Sequence, residues 1–279
     1  MTLSHVIVIA LLVVLVALAT LAFATAARKS IRVAMDSRRA RIEARVRPRL
    51  MKLLASEGQE ETDLSGVSGG DGRVLESVTA SLLTKLRGED RAAVVQMLEV
   101  RGTLRAARRS LRGVGTVRRA RAAEFLGATG TSAAYEDLCR LLEGRNTELR
   151  NVAARALGRL GIASPVEPLL RALDGPRSVP TGIVTMALLH IGPPSEEPLR
   201  KIGLSNESPL ARQISAELLG VLGAYAAVPD LMLVASEDPV PGVRYGALSA
   251  LGRIGHPRAV ETLISCLERG DSSLLSASA

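Results

Sequence analysis

Glycine recurs in this chain at a fixed interval. Gly130, Gly161, Gly192, Gly223 and Gly255 each close a phrase of the L-x-x-x-G type, L-G-x-x-G in all but the copy ending at Gly192, with spacings of 31, 31, 31 and 32 residues. A constant period of this size marks a stack of similar supersecondary units, and it limits every later assignment. A weaker copy ends at Gly102, 28 residues before Gly130.

Aligned on the glycine, the copies show what each unit is. Four residues before it stand Leu126, Leu157, Leu188, Leu219 and Leu251. Eight before it stand Ala122, Ala153, Val184, Ser215 and Ala247, and one before it Thr129, Leu160, Ile191, Leu222 and Ile254. These offsets trace one face of an α-helix, and the small residues allow a neighbouring helix to approach closely. The closing glycine suits the left-handed position that ends a helix. A second helix follows, opened by Pro165, by Pro193 and Pro194, or by Pro257. Proline is tolerated there because the first N–H groups have no partner within the helix. Its inward leucines are Leu138, Leu169, Leu231 and Leu263, with Leu199 displaced by one. One such hairpin cannot bury its apolar face, but a stack can.

Units of this kind resemble HEAT repeats, of the short type named after phycobilisome lyases. The resemblance runs over 89–279 and implies an all-α, right-handed solenoid of five to six helical hairpins. The D-x5-R phrase of such repeats is present as Asp238 and Arg244, and as Asn206 and Arg212. Arg119 and Arg150 hold the arginine slot without the acid, and Thr181 replaces the arginine. The resemblance implies that Arg150, Arg212, Asp238 and Arg244 form a structural ladder of hydrogen bonds between repeats, the alternative being a row of ligand contacts.

The N-terminal end follows different rules. Residues 6–27 carry no charge. As a helix they would extend roughly 33 Å, enough to cross a hydrocarbon core about 30 Å thick. A cleavable signal peptide is the alternative, but no Lys or Arg precedes the run, which is too long for a signal core. Ten Lys or Arg and two acids follow within 28–52, a net charge of +8, equal to that of the whole chain. Positive flanks stay on the cytoplasmic side. The expected organisation is therefore a single-pass anchor over 1–27 with the N-terminus outside, a basic juxtamembrane helix over 28–53, a flexible acidic Gly/Ser linker over 54–72, and a cytoplasmic solenoid over 73–279. The basic flank, Arg38, Arg39, Arg41 and Arg45 included, either attracts anionic lipid or only sets topology.

A second basic cluster lies inside the solenoid. Arg105, Arg108, Arg109 and Arg112 are spaced for one helical face, and Arg118 and Arg119 follow. They form either a solvated face or a docking surface for anionic lipid or an acidic partner. Chemistry-bearing motifs are few. The three histidines, His5, His190 and His256, have no partners at metal-ligand spacing. Cys139 and Cys266 read as buried free thiols. The G-x-S-x-G around Ser68 lacks the strand and helix that a nucleophile elbow needs. No phosphate-cradling or dinucleotide motif occurs. The absence of Trp argues against the stacking platforms of nucleic-acid binders. The resulting expectation is a bacterial, membrane-tethered interaction scaffold or adaptor that is not an enzyme, has no cofactor or metal, and binds a protein partner. The alternatives are a lyase-like or ligand-binding HEAT protein, or a nucleic-acid-binding solenoid.

Overall fold

The computed structural model describes residues 88–100 and 102–268, together with isolated positions between Thr20 and Leu86. The chain divides into two compact units, Met1–Thr79 and Ala80–Ala279. In the first, Thr20, Phe23, Thr25, Lys29, Ser30, Ser37, Ala40, Arg41 and Ala44 are helical. The rest of the expected 6–27 span, and all of the 54–72 linker, lie outside the described residues. Among the described residues no helix is long and apolar enough to cross a membrane.

The second unit is all-helical among the described residues. Its helices are α1 (Gly88–Val100), α2 (Thr103–Leu111), α3 (Thr116–Thr129), α4 (Tyr135–Leu142), α5 (Thr147–Arg159) and α6 (Val166–Arg171). They continue as α7 (Thr181–Ile191), α8 (Glu196–Pro198, widening into a π turn over Leu199–Gly203), α9 (Pro209–Leu222), α10 (Val228–Glu237), α11 (Pro241–Ile254) and α12 (Val260–Glu268). Odd and even helices pair into six hairpins. The glycine after each odd helix holds positive φ, 67° at Gly130 and 68° at Gly223. Gly102 does the same at 68°, so the weak first copy is a hairpin of the same kind. Asn146 and Ser208 cap α5 and α9 by accepting the backbone N–H of Leu149 and of Ala211.

The core runs along the stack as two rows. Leu126, Leu157, Leu188, Leu219 and Leu251 are all 0% exposed. Leu138, Leu169, Leu199 and Leu231 line the even helices and are equally buried. Each such leucine contributes roughly 1.5–3 kcal/mol of transfer free energy.

Odd helices pack on odd helices through a crossing of small residues. A Cβ added to Gly127 would lie 2.6 Å from the Ala156 Cα, one on Gly158 2.6 Å from the Ala187 Cα, and one on Gly220 2.5 Å from the Ala250 Cα. A glycine three before the closing glycine thus meets an alanine five before the next one. In the third junction both slots are leucine, Leu189 and Leu218. Contact between α7 and α9 is correspondingly slight, whereas α3–α5, α5–α7 and α9–α11 contacts are extensive. The π turn fills the gap by packing on α9, with Gly203 against Ser215. Helix α7 also starts late, at Thr181, eleven residues before its glycine, whereas α9 and α11 start fourteen before theirs.

Candidate functional site

The basic stripe on α2 does not act as four equivalent charges. Asp137, at the start of α4, sits beneath it with its side chain only 1% exposed. Arg108 Nε donates to Asp137 Oδ2 at 2.7 Å, and Arg112 Nη2 donates to Oδ1 at 2.8 Å. Arg140 Nη1 adds a longer contact to Oδ1 at 3.4 Å. Burial alone would push the Asp137 carboxyl up, but the hydrogen bonds from Arg112 and Arg108 outweigh it and hold the group below the usual carboxylate range. Three guanidinium groups therefore share one buried carboxylate, which fixes their positions and leaves excess positive charge.

Two depressions open on this cluster. One, of about 430 Å³, is lined by Arg105, Arg108, Arg109, Arg112 and Asp137. The other, of about 280 Å³, is lined by Leu111, Arg112, Arg119, Asp137, Arg140 and Leu141. Arg105 and Arg109 make no ion pair among the described residues and face solvent at the rim of the first. Arg119 is held by donating from Nε to the Leu111 carbonyl at 2.8 Å, and Arg118 reaches the Ser110 hydroxyl at 3.5 Å. In the other unit, Arg41 Nε donates to the Ser37 carbonyl at 3.3 Å. Arg38, Arg39 and Arg45 lie outside the described residues.

Asp137 does not stand out as a site residue when read as a sequence neighbour of Glu136. The signal that exposes it is its register. Asp137 and Asp230 both stand seven residues past a closing glycine. Asp230 in turn accepts from Arg200 of the preceding hairpin at 3.1 Å. Even helices are thus linked by arginine–aspartate pairs at these two steps.

The arginines of the D-x5-R phrase are placed as follows. Arg212 grips Asp238 with two hydrogen bonds, Nε to Oδ2 at 2.7 Å and Nη2 to Oδ1 at 3.1 Å, and donates from Nη1 to the Asn206 carbonyl at 2.8 Å. Arg244 Nη1 donates to the Asp238 carbonyl at 2.9 Å. Arg150 departs from the ladder: its guanidinium makes no hydrogen bond among the described residues, because no acid stands opposite it.

The remaining candidates are accounted for locally. His256 Nδ1 accepts from the Arg258 N–H at a helix start. His190 Nδ1 meets the Met186 carbonyl at 2.7 Å. Burial pushes the Cys139 thiol up, and it also pushes the Tyr135 phenol, with Cys139 beside it, up to about 12. Neither is a ready nucleophile at neutral pH. Among the described residues no group of His, Cys, Asp and Glu could hold a metal ion.

Comparison with known proteins adds three findings. HEAT repeats match residues 196–279, and the PBS lyase HEAT-like repeat matches residues 118–144. The second unit contains HEAT-like repeats over these stretches. The solved complex of CpcE and CpcF of phycocyanin lyase from Nostoc sp. PCC7120 is similar at 23% identity and a TM-score of 0.36, over 72% of this chain and 79% of that one. No curated protein matches. The lyase-type match falls on α3 and α4, which carry Arg118, Arg119 and Asp137. The similarity to a lyase-type repeat overturns the expectation that the chain is not an enzyme.

Proposed function

We propose that this chain is a lyase-related HEAT-repeat protein that works by binding a protein partner, and that an acidic segment of the partner docks on the arginine face around Asp137. The observation that carries this is the division of labour on α2. Arg108 and Arg112 are held in place by a buried carboxylate, which leaves Arg105 and Arg109 free to line the 430 Å³ depression. Free guanidinium groups recognise carboxylates through paired N–H donors, and the pinned Arg108 and Arg112 beside them add fixed positive charge. The lyase-type repeat match over 118–144 supports the reading, since it includes Asp137 and Arg140 of this cluster.

Mild cross-linking of the full-length protein in native membranes, followed by affinity purification and mass spectrometry, tests this. The variant to run alongside is Arg105→Glu with Arg109→Glu, which spares the Asp137 pairs. One companion at near-stoichiometric yield that is lost in the variant supports the docking face. Identical companions in both versions, or none in either, overturn it. A visible absorbance band on the purified assembly would tie it to bilin-type lyase chemistry, and its absence would leave the partner-binding role to stand alone.

The location we propose is the cytoplasmic face of the plasma membrane, with the N-terminus outside. Its support is the uncharged 6–27 run followed by the +8 flank over 28–52. Extraction of the protein by carbonate alone, or protease access to the solenoid from outside the cell, would sink that placement.

A further inference from the structure

Arg150 is a buried cation without a counter-charge. It is 7% exposed, its Nε is shielded from solvent, and its guanidinium makes no hydrogen bond among the described residues. The side-chain oxygen of its neighbour Asn151 is likewise buried and unsatisfied. Burying a charge with no partner is among the costlier arrangements a fold can hold. A second cation makes matters worse. Arg177, exposed in the α6–α7 loop two residues past Gly175, adds a repulsion that disfavours the charged form of Arg150, second to burial itself.

The same molecule shows what such an arginine ordinarily meets. Arg212 stands eleven residues before Gly223, as Arg150 stands eleven before Gly161. Arg212 is satisfied by the two oxygens of Asp238, which stands seventeen residues before the next closing glycine. The slot seventeen before Gly192 is Gly175, which has no side chain, and a Cβ there would meet nothing within 4 Å. Asp174, the nearest acid along the chain, is engaged by the Ser208 hydroxyl at 3.0 Å. The cation is therefore present, the carboxylate is missing, and open space remains at the slot that carboxylate would occupy.

We propose that Arg150 and Arg177 form a binding site for a carboxylate supplied from outside the chain. Arg150 takes it as Arg212 takes Asp238, through paired N–H donors, and the exposed Arg177 closes over it from the α6–α7 loop. The site lies on the second and third full repeats and does not depend on the Asp137 cluster. The carboxylate comes either from a small dicarboxylate or from an acidic side chain of a bound protein.

Thermal unfolding of the full-length chain, followed by circular dichroism at matched ionic strength, tests this. Wild type, Arg150→Met and Arg177→Ala are titrated with malonate and, separately, with a glutamate-rich peptide. Saturable stabilisation by malonate, abolished in Arg150→Met and about tenfold weaker in Arg177→Ala, identifies a small-molecule site. Saturable stabilisation by the peptide alone, with the same loss in the variants, assigns the carboxylate to a partner. No saturable effect of either, or an effect that survives Arg150→Met, overturns the proposal. Without any ligand, Arg150→Met should melt no lower than wild type, since it removes an unpaired buried charge. If Arg150→Met does not fold, Arg177→Ala decides, because its exposed side chain supports no core packing.

Discussion

The two buried aspartates set the acid stability of this solenoid. Burial by itself would raise the carboxyl pKa of Asp137 and of Asp238, and in both the hydrogen bonds they accept win and lower it. A carboxyl whose folded pKa lies below its unfolded value near 3.8 stabilises fully above that value. The contribution fades as pH falls through the folded pKa. Acid unfolding of Asp137→Asn should therefore begin from a lower plateau and show a shallower loss below about pH 4, as measured by circular dichroism. At neutral pH that substitution should cost about 1–3 kcal/mol in urea unfolding, reduced from a fully buried pair because Arg108 and Arg112 remain partly in water. Asp238→Ala should cost more, about 3 kcal/mol, because Arg212 is itself mostly buried and would be left with an uncompensated charge.

At the level of helices, glycine acts as a spacer. Adding a methyl group at Gly158 would drive it into the backbone of Ala187. Gly158→Ala should destabilise by about 1–3 kcal/mol, since a tight crossing must open to admit it. Gly252 occupies the same register in α11, but a Cβ there meets nothing. Gly252→Ala should instead stabilise by about 0.5–1 kcal/mol, through lower backbone entropy in the unfolded chain. Chemical denaturation of the two variants side by side checks both signs. The leucine and glycine periods make the hairpins legible in the sequence, because burial and helix termination act on every copy alike. The crossing partners are harder to read there, since they depend on which helix faces which. The arginine stripe is legible as a set of positions. Which of its members are tied down is not, because Asp137 lies one hairpin away and beside Glu136 looks like an ordinary surface acid.

Over the whole solenoid, stability is the sum of hairpins and the interfaces between them. One interface differs. Between α7 and α9 the glycine–alanine crossing is replaced by Leu189 and Leu218, and a π turn fills the space. Native-state hydrogen exchange should show 88–191 and 209–268 opening as separate cooperative blocks, with amides in α8 exchanging first. Exchange as a single block would contradict this. Restoring the small pair, with Leu189→Gly and Leu218→Ala together, should merge the blocks only if α9 can move onto α7, since the same change also removes buried apolar area.

A stack of springs in series bends at its softest member. With stiff crossings on either side, thermal bending of this solenoid concentrates at the Leu189–Leu218 joint. The Arg108–Asp137–Arg112 face and the Arg212–Asp238 clasp lie on opposite sides of that joint. Their separation can therefore vary while each keeps its own internal geometry, so bending at the joint leaves both arginine–aspartate clusters intact.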